Sequence, residues 1–532
     1  MLLISLLKVD LVNGCASSCS CVGTQVDCFR RSLNEIPHTD ISSTTTRLLL
    51  GDNNLTTVRP NELSGLTSLI YLDLSRNKLI TLPEGLFSDN TKLETLYLRN
   101  NMLESLPKDL FLSNTNLNTL YLENNKLVTL PEGLFSSNTK LEKLYITFNN
   151  FVSLPKDLFL SNTNLKRLYL QDNKLVTLPE GLFSSNTKLE ILYLRDNMLE
   201  SLPEDLFLSN TNLNTLYLQD NKLVTLPEGL FSNNTKIKTL NLEDNKLVTL
   251  PKGLFSNNTQ LETLYLWYNK LVTLPEDLFL SNMNLRKIDL QKNMLESLPK
   301  DLFLSNTNLM TLYIQSNNLV SLPKDLFLSN TNLKTLTLHD NKLVTLPEGL
   351  FSYNTKLGTL SLEDNKLVTL PEGLFSNNTN LEYLYMKGNQ FICCLMIDFK
   401  EWASNQTKLD YEGTCTDLNT TVDIHNFNMT DCIIPGWSLW FNSSCSVTCG
   451  DGVIMKTRTC DNPPPSDVGL KCVGSRSETS LCNLGKCPES CRHSKKRSNN
   501  KSVDNLDNKS GKKLRKLKAM NQKRRNKFDW KK

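Results

Sequence analysis

The residues able to do chemistry in this 532-residue chain are its 15 cysteines, its recurrent tyrosines and aspartates, and a cationic C-terminus. The cysteines fall into three groups: Cys15, Cys19, Cys21 and Cys28; then Cys393, Cys394, Cys415 and Cys432; then Cys445, Cys449, Cys460, Cys472, Cys482 and Cys487, with Cys491 left over. Residues 29–392 hold none. Even-numbered clusters of this kind can close disulfides, which needs an oxidising compartment, or hold zinc as thiolates. His38, His339, His425 and His493 stand singly, so the mixed Cys/His sets of many zinc sites are missing and disulfides are the better reading. No Ser or Cys nucleophile motif accompanies a His base, and there is no phosphate loop or metal-ligand spacing. The chain therefore reads as a binding protein without catalytic residues, metal or cofactor.

The binding chemistry lies elsewhere. Tyr recurs in one phase at Tyr97, Tyr121, Tyr145, Tyr169, Tyr193, Tyr217 and Tyr265, and again at Tyr313 and Tyr385, with Phe148, Trp267 and Tyr268 close by. Tyr offers a large rigid ring face and a polar tip, and is favoured at interfaces. A second column holds Asp172, Asp196, Asp220, Asp244, Asp340 and Asp364, an edge suited to a basic partner. The plainer reading is a duplicated solvent-tolerant Tyr and a turn-compatible Asp. From Arg492 to Lys532 there are 17 Lys/Arg against 3 Asp, a net +14, which leaves −10 for the rest of a chain whose total is +4. Lys512, Lys513, Arg515, Lys516 and Lys518, then Lys523, Arg524, Arg525 and Lys527, are dense enough to bind a polyanion. Glycosaminoglycan is the extracellular candidate; a plain solubilising tail and nucleic acid are the competing ones, the last disfavoured by the disulfide clusters. Lys495-Lys496-Arg497 offers a proprotein-convertase cut site.

What must position these residues is a repeat. Asn recurs every 24 residues from Asn53 to Asn389, fifteen times without an insertion or deletion. Around each sits L-x-x-L-x-L-x-x-N-x-L, as in Leu117, Leu120, Leu122, Asn125 and Leu127, and thirteen units continue into L-P-x-x-L-F. Within L-x-L the leucines alternate, so they point inward from a short strand while their neighbours face out. One unit cannot bury its own leucines; stacked units bury a continuous core under a parallel sheet. The Asn amide is expected to satisfy backbone groups of adjacent coils, Pro to end the extended segment and Phe to stack as a spine behind the sheet. Thirteen units also carry Asn three residues after the Phe, from Asn90 to Asn378, whereas the first has Leu66. Buried and unpaired, each amide would cost about 1–3 kcal/mol, so a second Asn ladder or a solvated turn is expected on the convex side. Units of the E-G-L-F-S and K-D-L-F-L kinds tend to alternate, suggesting duplication in 48-residue steps.

These motifs are those of the leucine-rich repeat, a resemblance covering roughly residues 15–432. It implies an α/β-type solenoid, curved, with a parallel sheet on its concave face and irregular or short helical segments on its convex face. Residues 15–44, with Cys15-Ala-Ser-Ser-Cys19-Ser-Cys21 and Cys28, resemble an N-terminal cysteine cap, and 389–432 a C-terminal one, leaving 45–388 for the repeats. In that family the pairs are Cys15–Cys21 and Cys19–Cys28, then Cys393–Cys415 and Cys394–Cys432. In the second cap Gln390 stands where Pro is usual and two cysteines are adjacent. Residues 435–488 resemble a thrombospondin type-1 repeat through Gly436-Trp437-Ser438-Leu439-Trp440, Cys445-Ser446-Val447-Thr448-Cys449-Gly450 and Arg458-Thr459-Cys460. That resemblance implies Cys445–Cys482, Cys449–Cys487 and Cys460–Cys472, C-mannose on Trp437, O-fucose on Thr448, and cations stacked between Trp rings. Lys456 stands where Arg is usual, so one stacking layer is expected to be missing. Residues 489–532 form a polar basic tail, expected to be disordered.

Ten N-x-Ser/Thr sequons, among them Asn54, Asn405, Asn419 and Asn428, agree with a secreted glycoprotein. Residues 1–14 read as a short or truncated signal peptide; no stretch of 18 apolar residues suggests a membrane span, and the cationic terminus opposes a GPI tail. The expectation is a secreted or matrix-associated recognition protein that binds a protein or glycan on the concave face and glycosaminoglycan through the type-1 module and tail, with Cys491 left to pair between chains. The alternatives are an immune-type receptor similar to the variable lymphocyte receptors, which lack a type-1 module, and a structural matrix spacer.

Overall fold

The computed structural model describes residues 15–417, 420–429, 432, 436–462, 464, 472 and 474–486. The expectations for residues 1–14, Asn419, Cys487, Cys491 and the basic tail lie outside them. The chain forms two units, dividing after Phe427.

The first unit is a solenoid. Strands β1 (Ser20–Val22) and β2 (Gln25–Asp27) pair antiparallel, and β2 starts a run of parallel pairings that continues from β3 (Arg47–Leu49) to β17 (Tyr383–Tyr385). Each of those strands is three residues long and starts 24 residues after the last, in strict register, so that Leu96 lies beside Leu120 and Leu120 beside Leu144. Past β17 come β18 (Phe391–Ile392), helix α1 (Ile397–Ser404), β19 (Asp410–Glu412), β20 (Thr414–Asp417) and β21 (Thr420–Asp423). β19 completes an 18-stranded sheet, and β18, β20 and β21 make a small second one.

The central Leu of each repeat strand (Ile288 in one of them) is buried while its two neighbours are mostly half-exposed, as an alternating strand requires. Behind the strands, the Asn in each coil ties three backbone groups. Asn77 Nδ2 donates to Leu50 O at 3.0 Å and Leu74 O at 3.1 Å, while its Oδ1 accepts from Leu55 N at 3.0 Å. The thirteen Phe residues from Phe87 to Phe375 stack at ring spacings such as 6.1 Å for Phe207–Phe231 and 6.2 Å for Phe231–Phe255. The spine ends on α1, where Phe375 meets Phe399 at 6.2 Å and Trp402 at 5.3 Å.

The Asn three residues after each Phe is buried, and of the two expected outcomes it takes the ladder. Asn114 Nδ2 donates to Phe87 O at 3.0 Å and to Asn90 O at 2.9 Å in the preceding coil, and the pattern repeats to Asn378. In all thirteen the Oδ1 is buried without a donor among the described residues. The ladder is thus satisfied through its donors only.

Both ends of the solenoid are stapled. Cys15–Cys21 and Cys19–Cys28 close the first cap and Cys393–Cys415 the second, where Cys394 and Cys432 are each disulfide-bonded too. Gly388 shows how tightly the last coil packs on the one before it: its φ is 72°, and a Cβ there would clash with the Asp364 carboxylate.

The second unit is a three-stranded antiparallel sheet of β22 (Phe441–Asn442), β23 (Asp451–Thr457) and β24 (Ser477–Asn483). Cys445–Cys482 and Cys460–Cys472 are closed, and Cys449 is disulfide-bonded. With so little core, packing comes from the Arg458 guanidinium, held 4.5 Å from the Trp437 ring and 4.3 Å from that of Trp440. Lys456 pairs instead with Glu478 at 3.2 Å, across β23 and β24.

Candidate ligand-binding face

Every strand lends two outward residues to the open face of the sheet, and the coil continues that face for two more residues before the ladder Asn. Backbone bonds carry the register past the strand, as in Leu98 N to Tyr121 O at 2.8 Å and Asn100 N to Glu123 O at 2.9 Å. The 24-residue period is therefore converted into columns.

The third strand position holds the tyrosines. Tyr97, Tyr121, Tyr145, Tyr169, Tyr193 and Tyr217 stack on one another with ring centroids 4.2, 4.5, 4.4, 5.0 and 4.6 Å apart. Tyr71, from the neighbouring column, tilts onto Tyr97 at 5.2 Å and makes the stack seven rings long. Sequence alone missed Tyr71, because its phase differs by two residues. Its own outer face is covered by Arg47 at 3.9 Å. The expectation of rigid ring faces offered to a ligand is corrected here. Strand spacing of about 4.8 Å nearly matches the stacking distance of aromatic rings, so the faces close against one another and the solvent meets edges and hydroxyls. Burial pushes the Tyr121 phenol up to about 12 and those of Tyr97, Tyr145 and Tyr193 upward too, so these four remain neutral donors and acceptors at any physiological pH.

The stack stops where the column changes. Asn241 follows Tyr217, and Tyr265 is separated from Tyr313 by Asp289. Lys287 bridges that gap, its amine 4.7 Å from the Tyr265 ring and 5.2 Å from Tyr313. Trp267 and Tyr268 meet edge-on at 6.0 Å, with Lys292 at 5.5 and 5.6 Å from them. Further along, Gln315 Nε2 donates to Gln291 Oε1 at 2.6 Å and Thr337 Oγ1 donates to Gln315 Oε1. The face is continuously aromatic in its first half, and beyond it mixes amides and hydroxyls with separate aromatics such as Tyr265, Tyr313 and Tyr385.

Asp289 is buried, and burial raises its carboxyl to about 6 against the opposing bonds from Gln291. A folded-state value above the unfolded one means that the proton is held more tightly in the fold, so stability is lost as pH rises through about 6. Asp289→Asn is accordingly expected to raise Tm at pH 7.5 and to leave it unchanged at pH 4. Thermal unfolding at the two pH values checks this; an equal shift at both would point to packing instead of charge.

The aspartate column has a backbone cause. Asp172, Asp196, Asp220, Asp244, Asp340 and Asp364 all have φ between 43° and 58°, as does every residue preceding a ladder Asn from Asp52 to Asp364. Asp and Asn tolerate this left-handed region better than most side chains. Their stacking still builds potential: burial, with Asp196, Asp244 and Glu243 nearby, pushes the Asp220 carboxyl up to about 6 in spite of Arg195.

His339 Nδ1 lies 3.1 Å from Ser361 Oγ, a pair 22 residues apart that sequence reading passed over. That hydroxyl donates to Glu363 Oε2 at 3.3 Å, so its proton is not directed at the imidazole. Among the described residues no group of three or more His, Cys, Asp or Glu is placed to hold a metal ion. No helix there is long and apolar enough to cross a membrane. Of the glycosylation candidates, Asn405, Asn428 and Thr448 are exposed, Asn54 accepts from Lys78 at 2.9 Å, and Trp437 packs on Arg458.

The Leucine rich repeat family model matches this chain in overlapping tandem stretches from residues 43–103 through to 331–391, and the Thrombospondin type 1 domain model matches 436–487. Semaphorin-5A of Mus musculus is 43% identical over 75 residues, 14% of this chain and 7% of the relative. SCO-spondin of Bos taurus is 40% identical over 80 residues, 14% of this chain and 2% of the relative. The chain thus spans only a small part of these relatives. Among solved structures, a leucine-rich-repeat protein of Leptospira interrogans superposes with a TM-score of 0.60 at 29% identity, over 72% of this chain and 94% of that one. The structure of the Drosophila Toll–Spatzle complex gives 0.54 at 23% identity, over 78% of this chain and 64% of that one, a likeness of fold alone.

Proposed function

This chain belongs to the leucine-rich-repeat family, and from that premise we propose that it is an extracellular recognition or adhesion protein whose sheet face binds a macromolecular ligand. The observation that supports this most is the seven-ring Tyr stack. A continuous row of half-exposed aromatic edges bearing hydroxyls is a large pre-ordered surface whose rings lose little freedom on binding. It contributes nothing to the core, which the leucines and the Phe spine already fill. The disulfides in both units agree with an oxidising compartment.

The type-1 module and the basic tail are the proposed anchor to sulfated glycosaminoglycan. In the module, Arg458 and Arg476 line one groove together with Phe441 and Met455. In the tail the cluster runs from Lys512 to Lys527. Matrix localisation follows from this reading.

The test uses the secreted full-length chain against immobilised heparin and a panel of cell-surface ectodomains. Replacing Tyr169, Tyr193 and Tyr217 together by Ala is expected to weaken ectodomain capture by about tenfold or more while heparin retention stays unchanged. Deleting 492–532 should do the reverse. Ectodomain capture that survives the triple Ala change and disappears with the tail would overturn the proposal for the sheet face.

A further inference from the structure

Beside the Tyr stack, the edge of the same face carries a pattern whose aromatic ends the left-handed backbone does not account for. At the left-handed position of six consecutive coils stand Phe148, Asp172, Asp196, Asp220, Asp244 and Tyr268, four acids between two aromatics. The backbone keeps them aligned through Asp172 N to Arg195 O, Asp196 N to Gln219 O, Asp220 N to Glu243 O and Asp244 N to Trp267 O, at 3.0–3.2 Å. Five strand steps of about 4.8 Å put the two aromatics roughly 24 Å apart.

The two ends are unusual for their position. Phe148 has φ 50° and Tyr268 φ 54°, a region where bulky side chains are strained, and they are 53% and 51% exposed. Their rings are thus not held there by burial.

The middle lacks donors. Arg195 engages Asp172 at 3.8 Å and also pairs with Asp196, but Asp220 and Asp244 form no ion pair among the described residues. Beside them Gln219 is only 9% exposed, and its Oε1 is buried without a donor among the described residues. Gln171 Oε1 is also buried without a donor among the described residues, and Asp172 Oδ2 has only the Arg195 guanidinium, at 3.8 Å, beyond hydrogen-bond distance. Each of these atoms is an acceptor, and buried acceptors are normally paired. What complements them is a ligand rich in N–H donors and positive charge.

We infer that this rim docks an extended, Arg- or Lys-rich segment of a partner protein, with its cations on the four acids and its apolar flanks on Phe148 and Tyr268. At about 3.3 Å per residue, roughly seven residues bridge the two rings. The inference rests on the reading of the sheet face as a recognition surface and assigns the partner's chemistry.

The experiment titrates the full chain with the synthetic peptide Leu-Arg-Gly-Arg-Gly-Arg-Gly-Arg-Leu and with its counterpart carrying Glu for each Arg. The arginine peptide is expected to bind and the glutamate peptide not to. Asp196→Asn, Asp220→Asn and Asp244→Asn together should weaken binding by about tenfold or more without lowering Tm, since Asn also accepts left-handed φ. Phe148→Asn with Tyr268→Asn should weaken binding while raising Tm, a pair of opposite shifts that a purely structural role would not produce. Equal binding of the two peptides, or wild-type affinity in both variants, would overturn the inference. If the arginine peptide fails while ectodomain capture still depends on Tyr169, Tyr193 and Tyr217, the inference falls and the proposed function stands.

Discussion

Asn221→Ala is expected to destabilise the solenoid by about 3 kcal/mol, far more than its single side chain suggests. Asn221 Nδ2 donates to Leu194 O and Leu218 O, both at 3.0 Å, and its Oδ1 accepts from Leu199 N at 3.0 Å. The two carbonyls would keep a partner, because Asn197 also donates to Leu194 O and Asn245 to Leu218 O. Leu199 N–H would not, and a buried orphan donor is the expensive outcome. Asn221→Asp should be worse near neutral pH: the new oxygen could still accept from Leu199 N, but a buried carboxylate would face two carbonyl oxygens. Urea denaturation gives the magnitude, and hydrogen exchange at Leu199 gives the mechanism. An unchanged exchange rate at Leu199 in the Ala variant would sink the account.

Phe231→Ala should cost about 3–5 kcal/mol, and the form of its unfolding should change as well. Phe231 is fully buried, stacked between Phe207 and Phe255 at 6.1 and 6.2 Å. Because each coil contacts only its neighbours, stability is close to a sum of coil and interface terms, and a gap in the spine weakens two interfaces at once. A single transition is expected to broaden or split, with the two halves of the solenoid melting separately. The measurement is unfolding followed by two probes, one on each side of the lesion. Coincident, equally sharp transitions would show that cooperativity does not pass through the spine. The Tyr-stack variants make a useful contrast, since their half-exposed rings should change stability little and binding much.

How much was legible in the sequence depends on whether a residue acts within its own period. The inward leucines, the ladder Asn and the Phe spine are each specified by spacing alone, since a 24-residue unit can bury its apolar side only by stacking on a copy of itself, whereas the caps were legible through their resemblance to known cysteine caps. The Tyr and Asp columns were visible for the same reason. Tyr71 was not, because it joins the stack from a different phase by tilting toward Tyr97. The Asn column from Asn90 to Asn378 was ambiguous between ladder and solvated turn. Only the proximity of the carbonyls of the preceding coil decides that.

The sequence by itself thus determined the repeat, its register, the two disulfide-bearing ends and which residue types recur on the open face. The tertiary structure alone decided what those recurring residues present. It closed the Tyr faces against one another, because the strand spacing falls near the distance at which rings stack. It placed the acids at a left-handed backbone position, where Phe148 and Tyr268 are the aromatic exceptions. It also left buried acceptors beside them without donors. Spacing along a chain sets which residues become neighbours, whereas orientation, exposure and unsatisfied bonding arise only once adjacent coils are in contact.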